Sequence, residues 1–251
     1  MPVPAAILFG SRLDPLSWEQ ALTRICHWAA ARSSRMVCLC NVHTVMTARR
    51  DLYLHAALQS SDMNTADGAP LAWLLRRRGW PEQQRINGPD LMWRTLEKAE
   101  RLHLSVYLYG STETTLLSLL ASLRKAFPQL RIAGVHAPPF HPLNDEEDEI
   151  ITSMINLSGA QIVMVGLGCP KQEQWMAAHR GRISAVMLGV GAAFDYHAGH
   201  LRRAPLLWQR AGMEWLYRLA MEPSRLLRRY LVTNTQFLLA LPAELWRRPR
   251  R

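Results

Sequence analysis

Short runs of β-forming, nearly uncharged residues, each followed by a segment of helical spacing, set the class of fold. Met36–Cys40, Ser105–Tyr109, Gln161–Val165 and Ala185–Val190 are such runs, and Arg131–Val135 is a more polar fifth. Strands covered on both faces read as continuous apolar stretches, whereas half-exposed strands alternate. Between the runs lie predicted helices over Glu113–Phe127, Asp145–Ser158 and Lys171–His179. Alternating strands and helices predict an α/β protein: a Rossmann-like, doubly wound, mostly parallel sheet with ligands at the carboxyl ends of its strands.

The run ending at Val165 carries the most local information. It meets Gly166-Leu167-Gly168, then Cys169-Pro170, then a helix from Lys171. Glycines let a backbone approach a ligand closely, and free N–H groups at a helix start attract anions. Pro170 suits the first helical turn, where its missing N–H has no partner to lose. The stretch is a candidate diphosphate cradle, although many α/β turns share the pattern and bind nothing.

Elsewhere the spacing predicts a helix over Trp18–Ala31, started by Asp14-Pro15 and Ser17, and one continuous helix over Thr44–Leu58. Ala66-Asp67-Gly68 opens a short helix through Leu75, and Gly88-Pro89-Asp90 starts another to about Leu102. Gly191–Arg203 reads as a loop, followed by two helices, Pro205–Met221 and Pro223–Leu241, divided at Pro223. The expected division is a catalytic domain over 1–204 and a helical appendage over 205–251.

At 251 residues and 20% charged content, the chain is globular rather than disordered. Its net charge of +10 is unevenly placed. From position 201 eleven arginines (202, 203, 210, 218, 225, 228, 229, 247, 248, 250 and 251) face three glutamates (214, 222 and 244). A basic end implies an anionic partner: phospholipid, nucleic acid or a phosphorylated substrate. The four cysteines, 26, 38, 40 and 169, lack metal or redox spacing, which fits reduced thiols in the cytosol. Pro2–Gly10 does not read as a signal peptide, and no apolar run approaches the ~20 residues of a spanning helix.

Several residues carry both a functional and a plain reading. Asp67, at a loop-to-helix junction, is a helix N-cap or a general base beside a substrate hydroxyl. Asn41 ends the first central strand and is a sugar-binding amide or a turn residue, while His43 and Thr44 fit a helix start. Arg85 is a phosphate clamp or a solvated charge. The acidic run Asp145–Glu149 suits the first turn of a helix capped by Asn144 better than a metal. Asp195, His197 and His200 match no metal-ligand spacing. With no Asp-x-Asp of the kind that holds a metal against a nucleotide-sugar, arginines or backbone amides must neutralise a bound diphosphate. Arg218, Arg225 and Arg229, spaced i, i+7 and i+11 among leucines and aromatics, share one face of a helix and suggest an interfacial surface or a domain-packing helix.

In order along the chain, the segments NVHTVMTARR (41–50), ADGAP (66–70), GPDL (88–91), GLGCPKQEQ (166–174), GVGAAFDYHAG (189–199), RAP (203–205) and EWLYRLAMEPSR (214–225) resemble the WecG/TagA/CpsF family, glycosyltransferase family 26. The resemblance implies an inverting transferase that uses a UDP-sugar; the missing Asp-x-Asp predicts that the transfer needs no metal. Its acceptor would be a sugar on undecaprenyl diphosphate, in bacterial surface polysaccharide or exopolysaccharide synthesis. The protein would be cytoplasmic and peripheral to the inner face of the plasma membrane, with an anionic membrane surface as partner, no nucleic acid, and a possible homo-oligomer. Asp67 matches the family's proposed base, Asn41 a sugar-site amide, and Arg85 and Gln172 active-site polar contacts. Arg218, Arg225 and Arg228 match the arginines of an appendage that closes over the site. Gly166, Gly168, Lys171, Gly110 and Asp90 complete the candidate substrate contacts. One departure is Leu39, where some members carry threonine, so sugar identity does not transfer.

Two other classes compete. A nicotinamide oxidoreductase would need Gly-x-Gly-x-x-Gly on an early strand, but the turn here ends in Lys171 and comes late. A nucleic-acid binder would display its arginines as a stripe, but here they are interleaved with leucines.

Overall fold

The computed structural model describes residues 5–246. Pro2, Val3 and Pro4 of the N-terminal segment and Arg247, Arg248, Arg250 and Arg251 of the basic tail lie outside the described residues, as does the side chain of Arg210.

The chain opens with a hairpin that the sequence did not lead us to expect, β1 (Ala6–Leu8) against β2 (Ser11–Leu13). Its two-residue turn, Phe9-Gly10, has φ of 51° and 87°, the left-handed geometry that matches the twist of paired strands. Helix α1 (Trp18–Ala30) follows, with Ser17 and Gln20 forming a reciprocal capping box.

Six strands then build the main sheet: β3 (Arg35–Cys40), β4 (Met63–Ala66), β5 (Ser105–Gly110), β6 (Arg131–His136), β7 (Ile162–Gly166) and β8 (Val186–Gly189). Their order is β4-β3-β8-β7-β5-β6, and every pairing is parallel. The side-chain alternation is strict. Met36, Cys38, Cys40, Tyr107, Tyr109, Val163, Val165 and Met187 enter one core layer; Val37, Leu39, Val106, Leu108, Ile162, Met164, Val186 and Leu188 enter the other. The first layer packs on α2 (Val42–Ala48), α3 (Leu52–Ser60), α4 (Ala69–Arg77), α7 (Asp145–Leu157) and α8 (Lys171–His179). The second packs on α1, α5 (Gly88–Arg101) and α6 (Glu113–Ala126). The sheet is therefore covered on both faces, as the apolar runs predict.

Four local expectations are corrected. Residues 44–58 form two helices rather than one: the first stops at Ala48 with Arg49 as its C-cap, and Asp51 caps the second, accepting from the Leu54 N–H at 2.9 Å. The segment 191–203 contains α9 (Ala193–His197), which seats Phe194 in the core. Residues 205–221 split into α10 (Leu206–Arg210) and α11 (Glu214–Met221) around Gly212, whose φ of 72° no helix accepts. Last, α12 (Pro223–Trp246) passes Leu241 and runs through Pro242.

The C-terminal helices lie on the α/β body. Helix α12 packs along α2, the rings of Phe9 and Phe237 sit 5.2 Å apart, and Glu244 accepts from the Phe9 N–H at 3.1 Å and from Arg78 at 2.6 Å. No described helix is long and apolar enough to cross a membrane.

Candidate functional site

The register of β3 with β4 pairs Cys40 with Ala66, so the residues that follow each strand, Asn41 and Asp67, emerge side by side. The Asp67 N–H donates to the Cys40 carbonyl at 2.8 Å and fixes this juxtaposition. Asn41 is a helix cap, the plain reading, and also a neighbour of Asp67. Its Oδ1 caps α2 through the Thr44 N–H at 3.1 Å, while its Nδ2 reaches Asp67 Oδ2 at 3.5 Å.

Asp67 is not a helix cap. That position belongs to Gly68, which makes no side-chain cap bond, so the carboxylate is free for other partners. Those partners are charged. Arg85 donates through Nε to the Asp67 carbonyl at 2.5 Å and holds Nη2 3.7 Å from its Oδ1. The loop bearing Arg85 is fixed to the end of β4 by the Ile86 N–H, which donates to the Ala66 carbonyl at 3.0 Å. The other arm of Arg85 lies 2.7 Å from Glu214 on α11, a carboxylate only 9% exposed. Burial raises the pKa of Asp67 and the Glu214 charge raises it further, against the opposing pull of Arg85, Asn41 and Arg218.

The break at Glu222 overturns the idea of one arginine face on one helix, because Arg218 lies on α11 and the others on α12. Arg218 turns inward. Its guanidinium lies 5.6 Å from the Tyr196 ring centroid, and its buried Nε has no hydrogen-bond partner. Arg225 is exposed and paired with Glu222 at 2.8 Å, and Arg228 is exposed. Arg229 is half-buried, with an unpartnered Nε and a charge that bears on His43 and Cys169.

The glycine turn stands across the sheet, separated from β4 by β3 and β8, roughly 14 Å at ~4.8 Å per strand. Two glycines here, Gly166 of the turn and Gly110 at the end of the neighbouring β5, are required by packing. A Cβ on Gly110 would come 2.6 Å from the Gly166 backbone, and one on Gly166 would come 2.8 Å from the Phe194 ring. Gly168, with φ of 78°, faces open space. Pro170 is the N-cap of α8 rather than a residue of its first turn, and the Cys169–Pro170 bond is cis. Lys171 is exposed. Gln172 is buried, donating to Glu173 at 2.9 Å and to the Gly189 carbonyl at 3.2 Å, while its Oε1 has no partner. Burial raises the pKa of the enclosed Glu173.

Asp90 is occupied within the protein, held by Arg203 at 2.5 and 3.3 Å and by Asn87 at 2.7 Å. His197 bonds the Pro89 carbonyl at 2.9 Å and stacks on Trp93, while His200 contacts Thr115. Asn144 and Glu147 form a capping box, which accounts for the acidic run. No group of three or more His, Cys, Asp or Glu among the described residues is placed to hold a metal. Leu39 is buried in the layer shared with α5 and Gly88.

Asn41, Asp67, Arg85 and Arg218 therefore converge, joined by Glu214 and Tyr196, which the sequence did not single out. Glutamate at a helix start has an ordinary explanation in the helix dipole, so Glu214 carries no distinguishing local signal. Over residues 6–251 the chain matches the model of the Glycosyl transferase WecG/TagA/CpsF family.

Proposed function

Since the chain belongs to the WecG/TagA/CpsF family, glycosyltransferases of cell-surface polysaccharide synthesis, we propose that it moves a hexose or N-acetylhexosamine-type sugar from a UDP-sugar to a sugar carried on polyprenyl diphosphate, with inversion. The observation that carries this reading is the Asp67 carboxylate, uncapping and 21% exposed, set among Asn41, Arg85 and Arg218 at the strand ends.

The chemistry follows from those groups. Asp67 takes the proton of an acceptor hydroxyl as its oxygen bonds to the anomeric carbon. The bond from that carbon to the diphosphate oxygen breaks on the opposite face, and UDP departs with the electron pair. Arginine suits the departing diphosphate because its planar fork can make two parallel bonds to phosphate oxygens. Arg218 has donor capacity for this, with an inward guanidinium and a buried Nε that lacks a protein partner. Arg229 offers the same on the side of Cys169 and the glycine turn.

An anionic membrane surface is the proposed second partner. Leu206, Leu207, Leu238, Leu239 and Trp246 are 63–90% exposed in the C-terminal region, which also carries the exposed Arg202, Arg225 and Arg228. Apolar residues rimmed by basic ones are the pattern of a protein resting on anionic lipid. A second copy of the chain is the competing occupant of that surface.

The test is UDP release over a panel of UDP-sugars with a polyprenyl-diphosphate-sugar acceptor, with and without excess chelator. Acceptor-dependent release that survives the chelator is expected. Loss of activity in EDTA with rescue by Mg²⁺ or Mn²⁺ contradicts the metal-independent mechanism, and no release with any donor contradicts the substrate class.

A further inference from the structure

The Asp67 carboxylate shares its arginine. Arg85 Nη1 lies 2.7 Å from Glu214 Oε2, whereas Nη2 stays 3.7 Å from Asp67 Oδ1. The tighter pairing belongs to the more enclosed acid: Glu214 is 9% exposed and Asp67 21%. A third anchor, from Arg85 Nε to the Asp67 carbonyl at 2.5 Å, stops the guanidinium from swinging away altogether. The arginine is thus kept beside the carboxylate but is not docked on it.

That arrangement matters because an unshared arginine at hydrogen-bond distance lowers an aspartate's pKa by roughly 1–3 units and weakens it as a base. We propose that Glu214 is a positioning residue for the transfer reaction: it draws the Arg85 guanidinium onto α11 and leaves Asp67 able to accept a proton. This rests on the reading of Asp67 as the base.

The groups facing Asp67 come from each surrounding element. Asn41 stands at the end of β3, Arg85 on the loop before α5, and Glu214 and Arg218 on α11. Two of these are cations and only Glu214 is an anion. Removing the Glu214 charge therefore acts in one direction: Arg85 closes on Asp67, and the nearby negative charge disappears. Both effects make Asp67 more acidic.

The experiment is the pH dependence of kcat/KM for Glu214→Gln, an isosteric change, in the full chain, with thermal unfolding run in parallel. The expected result is an acid limb displaced to lower pH by roughly half to one unit, with a lower plateau above it. Glu214→Asp, whose carboxylate is set back from Arg85 by one methylene, should move the limb the same way by less, and serves if the glutamine variant does not fold. A uniform fall in kcat/KM with an unmoved limb overturns the proposal, because that is what simple loss of α11 docking produces. Asp67→Asn alongside separates the two claims. If the limb disappears in Asp67→Asn but stays unmoved in Glu214→Gln, only the Glu214 assignment falls. A limb that survives Asp67→Asn overturns the base and the proposal built on it.

Discussion

The carboxyl ends of β7 and of β4 lie on the same edge of one parallel sheet, yet they are built on opposite principles. At β7 the glycines are largely filled by the protein itself: Gly110 abuts Gly166, Gly166 abuts Phe194, and Gln172 ties α8 to β8. At β4 the backbone is unremarkable, and five side chains from four parts of the chain converge: Asn41, Asp67, Arg85, and Glu214 with Arg218. The first end is a packing solution that leaves only Gly168 facing open space. The second is an electrostatic assembly whose charges are incompletely paired. A glycine motif here marks where backbones must approach, whereas the candidate site is assembled from residues far apart in sequence.

Substitutions can break this contrast, and the largest effect is expected at the β4 end. Arg85→Met removes the cation shared by two carboxylates, and kcat/KM should fall on the order of 10²–10³-fold, as for loss of a preorganised charge in an active site. Steady-state UDP release measures it, and a change under threefold would place Arg85 outside the chemistry. At the β7 end the loss should instead appear as stability. Gly110→Ala puts a Cβ into the Gly166 backbone at a φ of 123° and should cost roughly 2–4 kcal/mol in denaturant unfolding. Wild-type stability in that variant would mean that the two strand ends have more freedom than their packing implies.

His43 lies on α2 within reach of Arg229 and sharpens the comparison by pH. Burial, and then the Arg229 charge, lower its pKa to about 4. The unfolded imidazole protonates near 6.5 while the folded one stays neutral, so stability is lost as pH falls from about 6.5 to about 4. His43→Gln should remove about 1–2 kcal/mol of the difference in unfolding free energy between pH 7 and pH 5. An identical pH dependence in the variant would contradict the half-buried, neutral histidine. The smallest effect is expected at the surface: Leu206→Glu with Leu207→Glu should weaken binding to anionic vesicles several-fold without altering the unfolding midpoint. Unchanged vesicle binding would remove support for a lipid-facing surface. These point changes are preferable to deleting residues after 205, which would also strip Phe237 from the core and Glu244 from Arg78 and Phe9.

What was legible in the sequence follows the same division. Strands buried on both faces must be apolar throughout, so β3, β5, β7 and β8 could be read directly. Strand β4 could not, because its buried Asn64 and Thr65 are polar and are satisfied by hydrogen bonds to Leu58, Ser61 and Ile86 that only the fold supplies. The break between α2 and α3 escaped because the apolar spacing continues across it, while the decisive signal is the single cap at Asp51. Asn41, Asp67 and Arg85 could be named as candidates from motif and position, though not the hydrogen bond and the salt bridge that join them. Glu214 could not, since its importance lies in a contact with an arginine 129 positions away, and nothing local announces that contact.

The account rests most heavily on Asp67 as the proton acceptor. Its most direct test is Asp67→Asn, with turnover measured by UDP release and donor-site occupancy by UDP binding to the same preparation. Turnover reduced by about 10²–10⁴-fold with UDP affinity within a few-fold of the native protein is the predicted result. Turnover close to that of the native protein would contradict it.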